Sequence, residues 1–278
     1  MRKPVFRSLI VAAAVLAGTA GYAAPSHAMV ANAMPDSTHV AVGSFWASTR
    51  DGNPFFICTG TLVSSTVFVT AGHCVDYVVR YGLESYVSFK QTMPNSPAKS
   101  ALIAADAILN PRYKESNGTD LYQFDVSVLV LRKPFSLPHK EDYGQVAPVG
   151  LLDGMKSAGT LTNSEFTLSG YGTEAMVVDP LSGQGSPISF PDSGERRYGT
   201  VGFAALATSV LHENQRANAG YTGAGYGDSG GPTFLPGSNT IVGVTSTGDI
   251  PCYSTNTAYR LDTQEAHDFL DPILTAHR

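Results

Sequence analysis

The stretch GAGYGDSGGP, from Gly223 to Pro232, places one serine among five glycines and directly after an aspartate. Gly, Asp and Ser are common turn residues, so the stretch is compatible with a flexible surface loop. It also suits a nucleophile, because a glycine-rich turn can expose the hydroxyl of Ser229 and aim bare backbone N–H groups at a reacting carbonyl. The stretch therefore predicts either a surface loop or a catalytic serine.

A serine hydroxyl is a weak nucleophile at neutral pH, so it needs a base, and a third group must orient that base. His73 is the candidate base, because it follows an apolar run in VTAGHC and precedes Cys74. Asp125 is the candidate orienting group, because it opens the apolar run DVSVLVL. The remaining histidines have blander surroundings and are interpreted as structural or solvated: His27, His39, His139, His212, His267 and His277.

Short runs of β-branched and apolar residues, separated by Gly, Pro and Ser clusters, predict an all-β barrel or sandwich. They cover residues 57–63, 67–70, 125–131, 165–172 and 240–246. The tail differs, because its apolar residues recur at helical spacing and predict a C-terminal α-helix over 262–278. Asp262 and Glu265 resemble a capping box at its start, and Pro272 is expected to kink or interrupt it.

The N-terminus has the order of a secretory signal peptide. Basic residues precede the apolar run 9–17, and small-residue cleavage patterns end at Ala28 and Ala33. We therefore expect a signal peptide over 1–28, with cleavage as late as 33, followed by a short propeptide or N-terminal segment over 29–38. The apolar run is too short for a stable membrane anchor, so we expect an exported protein without a membrane partner.

Charge and cysteine content narrow the function further. The net charge is −5 and no basic cluster follows the N-terminus, which disfavours a nucleic-acid partner. Cys58 and Cys74 lie at the two ends of a predicted hairpin, and export permits a disulfide between them. Cys252 is then left as a free thiol or an intermolecular partner. The cysteines and histidines lack paired ligand spacing, so no metal site is expected.

The stretches TAGHC, FDVSVLVL and GDSGGP together resemble the chymotrypsin/trypsin family of serine endopeptidases, in the same chain order. The resemblance implies two packed six-stranded antiparallel β-barrels with a C-terminal α-helix. The first barrel would cover 39–150, and the second 151–261. It also implies protein or peptide substrates, protein inhibitors, a monomer, and neither a metal nor an organic cofactor.

Roles carry over from the resemblance residue by residue. Ser229 would attack the scissile carbonyl, and His73 would take its proton and return it to the leaving amine. Asp125 would orient and stabilise the charged imidazole. The backbone N–H groups of Gly227 and Ser229 would face the developing oxyanion.

The resemblance also assigns the substrate pocket. Motif offsets place Gly223 at the pocket floor, with Ala224, Gly248 and Thr257 lining the rest. Ser246 matches a family serine that borders the triad aspartate and the substrate backbone. No acid stands at the floor, so the resemblance implies cleavage after uncharged residues.

The chain departs from the family pattern at several places, including Thr247 in place of the usual indole and Gly72 in place of the usual alanine. No Ile-Val-Gly-Gly-like start is present, so Asp228 lacks its usual α-amino partner, and Gly225 stands where the disulfide partner of Cys252 would lie. Two alternatives remain. One is a non-catalytic binding protein on the same fold. The other is an α/β-hydrolase, whose G-x-S-x-G motif GDSGG also fits, although that fold needs interleaved helices.

Overall fold

The computed structural model describes residues 29, 32–114, 122–173, 194–249 and 252–277. The predicted signal peptide over 1–28 lies outside the described residues. The strands are β1 (Met34–Pro35), β2 (Val42–Ser48), β3 (Phe55–Leu62), β4 (Val67–Thr70), β5 (Glu84–Ser88), β6 (Ile103–Ile108), β7 (Ser127–Leu131), β8 (Gln145–Val146), β9 (Glu165–Gly170), β10 (Arg197–Leu206), β11 (Val210–Asn214), β12 (Pro232–Phe234), β13 (Thr240–Gly248) and β14 (Thr255–Arg260). The helices are α1 (Gly72–Arg80), α2 (Leu151–Ser157) and α3 (Gln264–Ala276).

The first barrel closes in the order β2-β3-β4-β7-β6-β5, with every neighbouring pair antiparallel. Its strands bury large side chains, because successive residues of a strand point to opposite faces and one face lines the interior. Phe45, Leu62, Phe68, Val87 and Leu129 are fully buried in one cluster. This core holds β4 and β7 side by side.

The second barrel closes in the order β9-β10-β11-β14-β13-β12, again with antiparallel neighbours. Its interior contains Phe166, Leu168, Val201, Leu211 and Val242. Two short strands extend this sheet from outside the ring: β1 pairs antiparallel with β10, and β8 pairs parallel with β13.

The predicted fold class is confirmed: two closed six-stranded antiparallel barrels and a C-terminal helix. The α/β-hydrolase alternative is wrong, because that fold needs helices between parallel strands. No helix in the described ranges has the length and apolar character needed to cross a membrane.

The C-terminal helix begins differently from the prediction. Its N-cap is Thr263, whose side chain accepts the backbone N–H of Ala266 at 3.2 Å. Asp262 is instead buried, where it pairs with Arg260 at 2.9 Å and accepts the N–H of Leu152 at 2.7 Å. Tertiary partners therefore take this carboxylate away from the cap. Pro272 lies within α3, which continues past it.

Candidate active site

Strand pairing in the first barrel brings His73 and Asp125 together. Thr70 at the end of β4 pairs with Ser127 at the start of β7, and the two candidates lie just beyond these positions. The fully buried Asp125 accepts the backbone N–H of His73 at 2.8 Å, and its Oδ2 lies 3.0 Å from His73 Nδ1. A carboxylate only accepts hydrogen bonds, so Nδ1 carries the proton and Nε2 is the free acceptor of the neutral ring.

The pKa of His73 reflects this pairing. Burial lowers the pKa, but the charge of Asp125 and the hydrogen bond to it outweigh burial, so the pKa is raised above its ordinary value. Ser246 on β13 donates from Oγ to Asp125 Oδ2 at 2.5 Å. A residue of the second barrel thus helps to hold the carboxylate of the first.

Two further contacts restrain the His73 region, and a glycine lets the backbone approach Asp125. Cys58 and Cys74 form the predicted disulfide, with an S–S distance of 1.98 Å, which ties α1 to β3. Their sulfurs lie near His73, but sulfurs joined in a disulfide are not thiolate ligands for a metal. Tyr122 stacks on the His73 ring with centroids 5.2 Å apart. A Cβ on Gly72 would lie 2.7 Å from Tyr113 Cδ2 and 3.0 Å from Asp125 Oδ1, so the absence of a side chain here lets the strand end pack closely against Asp125.

Ser229 is half-buried and lines the same cavity as His73, with a volume of about 350 Å³. Among the described residues, no hydrogen bond joins the Ser229 hydroxyl to His73. Such catalytic hydrogen bonds are often long in unliganded enzymes and tighten only when substrate binds. The structure therefore brings Ser229 and His73 to one cleft between the barrels, with Asp125 buried behind His73.

The backbone before Ser229 has a defined orientation. Gly227 has φ +94°, in the left-handed region that glycine tolerates. The carbonyl of Tyr226 accepts the N–H of Thr173 at 2.8 Å. Because N–H and C=O point in opposite directions across a trans peptide, the N–H of Gly227 points away from Thr173. In the described part of the chain, neither this N–H nor that of Ser229 donates to a protein acceptor, which leaves both for a ligand.

Asp228 has no charged partner among the described residues. It is buried, and its two oxygens accept the backbone N–H groups of Gly172 and Gly225, each at 2.8 Å. Burial raises its pKa to about 7, against the opposing effect of the two backbone hydrogen bonds. Backbone donors take the place of the amine that the family pattern would supply.

The cavity wall agrees in part with the predicted pocket. Ala224, Ser246 and Gly248 line it, but Gly223 and Thr257 do not. Thr257 lies beside His212, with the Thr257 hydroxyl 3.1 Å from His212 Nδ1. Neighbouring residues of a strand point to opposite faces, so Asn256 faces the cavity instead.

Behind Asn256 lies a buried carboxylate that sequence reasoning missed. Asn256 Nδ2 donates to Glu213 Oε2 at 2.7 Å, and Thr233 Oγ1 donates to Glu213 Oε1 at 2.8 Å. Burial raises the pKa of Glu213 to about 7, although both hydrogen bonds lower it. The strand register that pairs Glu213 with Asn256 is not visible in any local pattern.

Several further lining residues were not predicted as wall positions, among them Asp249 and Cys252. Asp249 accepts backbone N–H groups from residues 253–255 and the amide of Gln215, so its carboxylate shapes the loop that follows β13. Cys252 is buried and forms no disulfide within the described residues, in agreement with the missing partner at Gly225.

Comparison with known proteins supports this architecture. The sequence profile of the trypsin family matches residues 35–270. The chain is 30% identical to "Fibrinolytic enzyme, isozyme C" of Lumbricus rubellus over 191 residues, which are 68% of this chain and 75% of that protein. A solved structure of HL collagenase is similar with a TM-score of 0.62 at 15% identity, over 89% of this chain and 99% of that one, which shows a shared fold. The chain belongs to the trypsin family.

Proposed function

We propose that the protein is a secreted serine endopeptidase that hydrolyses peptide bonds through Ser229, His73 and Asp125. One observation supports this most strongly. The fully buried carboxylate of Asp125 is hydrogen-bonded to both the backbone N–H and Nδ1 of His73. His73 and Ser229 line one cleft. Family membership makes a protease the expected activity, and every group that the chemistry needs is present.

In the proposed mechanism, His73 Nε2 takes the proton of the Ser229 hydroxyl as Oγ attacks the scissile carbonyl. The raised pKa of His73 favours proton uptake, and Asp125 stabilises the resulting imidazolium. The proton then passes to the leaving amine as the C–N bond breaks and an acyl-enzyme forms. Water, deprotonated by His73, then attacks the acyl carbon, the ester bond to Ser229 Oγ breaks as His73 returns the proton to Oγ, and the acid leaves.

The N–H groups of Gly227 and Ser229 are the proposed oxyanion donors. Both are free of protein acceptors in the described residues, and the peptide plane before Gly227 is held by Thr173. Each donor of this kind is worth roughly 3 kcal/mol of transition-state stabilisation.

We infer a preference for an uncharged side chain on the acyl side of the cut bond. Ala224 and Gly248 provide small wall residues, and Asn256 adds a neutral amide. Asp249, the carboxylate among the lining residues of the described chain, is occupied by loop hydrogen bonds, and Glu213 is fully buried behind Asn256. We therefore infer that neither the Asp249 nor the Glu213 carboxylate forms an ion pair with a Lys or Arg side chain of the substrate.

The domain organisation that we propose is a cleaved signal peptide over 1–28, a first barrel over 39–150 and a second over 151–261. The segment 29–38 belongs, on this proposal, to the mature protein. Asp36 within it is fully buried, accepts the hydroxyl of Ser169 at 2.6 Å and lies 2.9 Å from His39 Nδ1. Removing this segment would leave a polar cavity at the edge of the second barrel.

The decisive experiment is a digest of unfolded casein by secreted, purified protein, with cut sites mapped by mass spectrometry. Ser229→Ala should abolish cleavage, whereas Ser238→Ala, at an exposed serine, should not. N-terminal sequencing of the same material tests signal-peptide removal. Cleavage that survives Ser229→Ala would refute the nucleophile, and cuts mostly after Arg or Lys would refute the pocket assignment. A folded protein inert to every peptide would favour the binding-protein alternative.

A further inference from the structure

A threonine of the first barrel contacts the loop that carries the proposed oxyanion donors. Thr59 lies on β3 and is fully buried. Its Oγ1 donates to the carbonyl of Gly227 at 2.8 Å, and its backbone N–H donates to the carbonyl of Ser229 at 2.9 Å. One residue thus holds the carbonyls on both sides of Asp228, across the junction of the two barrels.

The Thr59 hydroxyl is itself fixed in place. It accepts the backbone N–H of Tyr171 at 3.2 Å while it donates to Gly227, so its donor and acceptor functions are both used. The carbonyl of Thr59 accepts the hydroxyl of Thr70 on the neighbouring strand at 2.7 Å. A hydroxyl held in this way supplies a rigid point of attachment.

The loop needs such an attachment for two reasons. Gly227 and Gly230 have φ +94° and +79°, and glycines with access to such conformations give the backbone many alternatives. Asp228 between them lacks an ion-pair partner among the described residues, so charge pairing does not anchor the loop. Thr173 holds the carbonyl of the peptide that carries the Gly227 N–H, and Thr59 holds the carbonyl of the next peptide, so the two contacts together fix the backbone on both sides of the Gly227 Cα.

We propose that the Thr59 hydroxyl is a positioning group that orients the Gly227–Ser229 loop for oxyanion stabilisation. This inference rests on the proposed endopeptidase function. Thr59 does not touch the reacting atoms. It acts through the Gly227 carbonyl, and its loss should affect the transition state more than substrate binding.

Thr59→Val tests the proposal, because valine keeps the shape of threonine but has no hydroxyl. Thr61 offers a matched control on the same strand: it is also buried, and its Oγ1 has no hydrogen-bond partner among the described residues. Rates are measured on a peptide amide well below the unfolding temperature, and active sites are counted with an organophosphonate. Thr59→Ser restores a hydroxyl and serves as the rescue variant.

We expect Thr59→Val to lower kcat per titrated site about 10- to 100-fold with KM changed less than about twofold, because slight misplacement costs less than losing a donor. Thr61→Val and Thr59→Ser should stay within about threefold of the wild type. If Thr59→Val does not fold, Thr59→Ala gives the same comparison. Equal kcat for the Thr59→Val and Thr61→Val proteins, or a rise in KM alone, would overturn the inference. An inert wild-type protein would instead refute the proposed function and the inference with it.

Discussion

Replacing Glu213 by glutamine should make the protein less sensitive to alkaline pH. Glu213 is fully buried in the second barrel, where Thr233 and Asn256 donate to its two oxygens. Glutamine preserves the shape: its carbonyl can accept from Asn256, and its NH₂ can donate to the Thr233 hydroxyl, which both donates and accepts. The substitution therefore removes the ionisation while it keeps the packing.

The direction in which the free energy of unfolding changes with pH follows from the raised pKa of Glu213. Glu213 titrates at about 7 in the folded protein and at 4.5 when unperturbed. Below 4.5 both states hold the proton and the group contributes no pH dependence. Between 4.5 and 7 the unfolded chain has lost its proton and the folded one has not, so the free energy of unfolding falls by up to about 1.4 kcal/mol per pH unit. Above 7 the full penalty applies, about 3 kcal/mol from the difference between the two pKa values.

The assay is urea unfolding from pH 4.5 to 8.5, with wild type and variant both in a Ser229→Ala background to prevent self-digestion. Asp228 contributes a pH dependence of the same sign to both proteins and cancels in the difference. The glutamine variant should gain stability relative to the wild type as pH rises and level off above about pH 7. Glu165→Gln, at an exposed glutamate of β9, should show no such gain. Parallel pH curves for the wild-type and Glu213→Gln proteins would refute the argument from burial.

Three other perturbations test the site. Ser246→Ala removes the hydrogen bond to Asp125 and should lower kcat/KM about thirtyfold, since hydrogen bonds to charged groups are worth about 2 kcal/mol. Unchanged kinetics would show that Asp125 is held without this hydrogen bond. Replacing Cys58 and Cys74 together by serine should lower the free energy of unfolding by about 3 kcal/mol, because the disulfide closes a loop of sixteen residues in the unfolded chain. Urea unfolding measures this, and a midpoint equal to that of the oxidised wild type would contradict it. Gly230→Ala should abolish soluble expression or activity, because the φ of Gly230 is +79° and the new Cβ would clash with Thr59 and Thr70. A fully active variant would show that the loop is not held at this position.

Local pattern was sufficient to predict five of the fourteen described strands. Short runs of β-branched and apolar residues predicted β4 at its observed bounds and β3, β7, β9 and β13 to within about two residues of theirs at each end. The cap of α3 was missed, because Asp262 fits the local rule for a cap but is taken by Arg260 and Leu152. Where a local rule and a buried tertiary partner competed for one carboxylate, the buried partner prevailed.

The chemistry of the site was visible for a similar reason. His73, Asp125 and Ser229 each lie in a short motif that can be recognised without knowing what it touches. The cavity wall was harder to predict, because motif offset counts residues along the chain while a strand alternates its faces. An offset that is wrong by one residue assigns Thr257 to the cavity wall in place of Asn256, which lines it.

The sequence by itself determined the family, the nucleophile candidate and its partners, and the Cys58–Cys74 bridge, since each depends on residue type and order along the chain. Tertiary structure decided what holds those groups in place. Thr59 reaches Gly227 across 168 positions, and Glu213 reaches Asn256 across 43. Such contacts depend on how the two barrels close and pack against each other, and no short stretch of sequence records that packing.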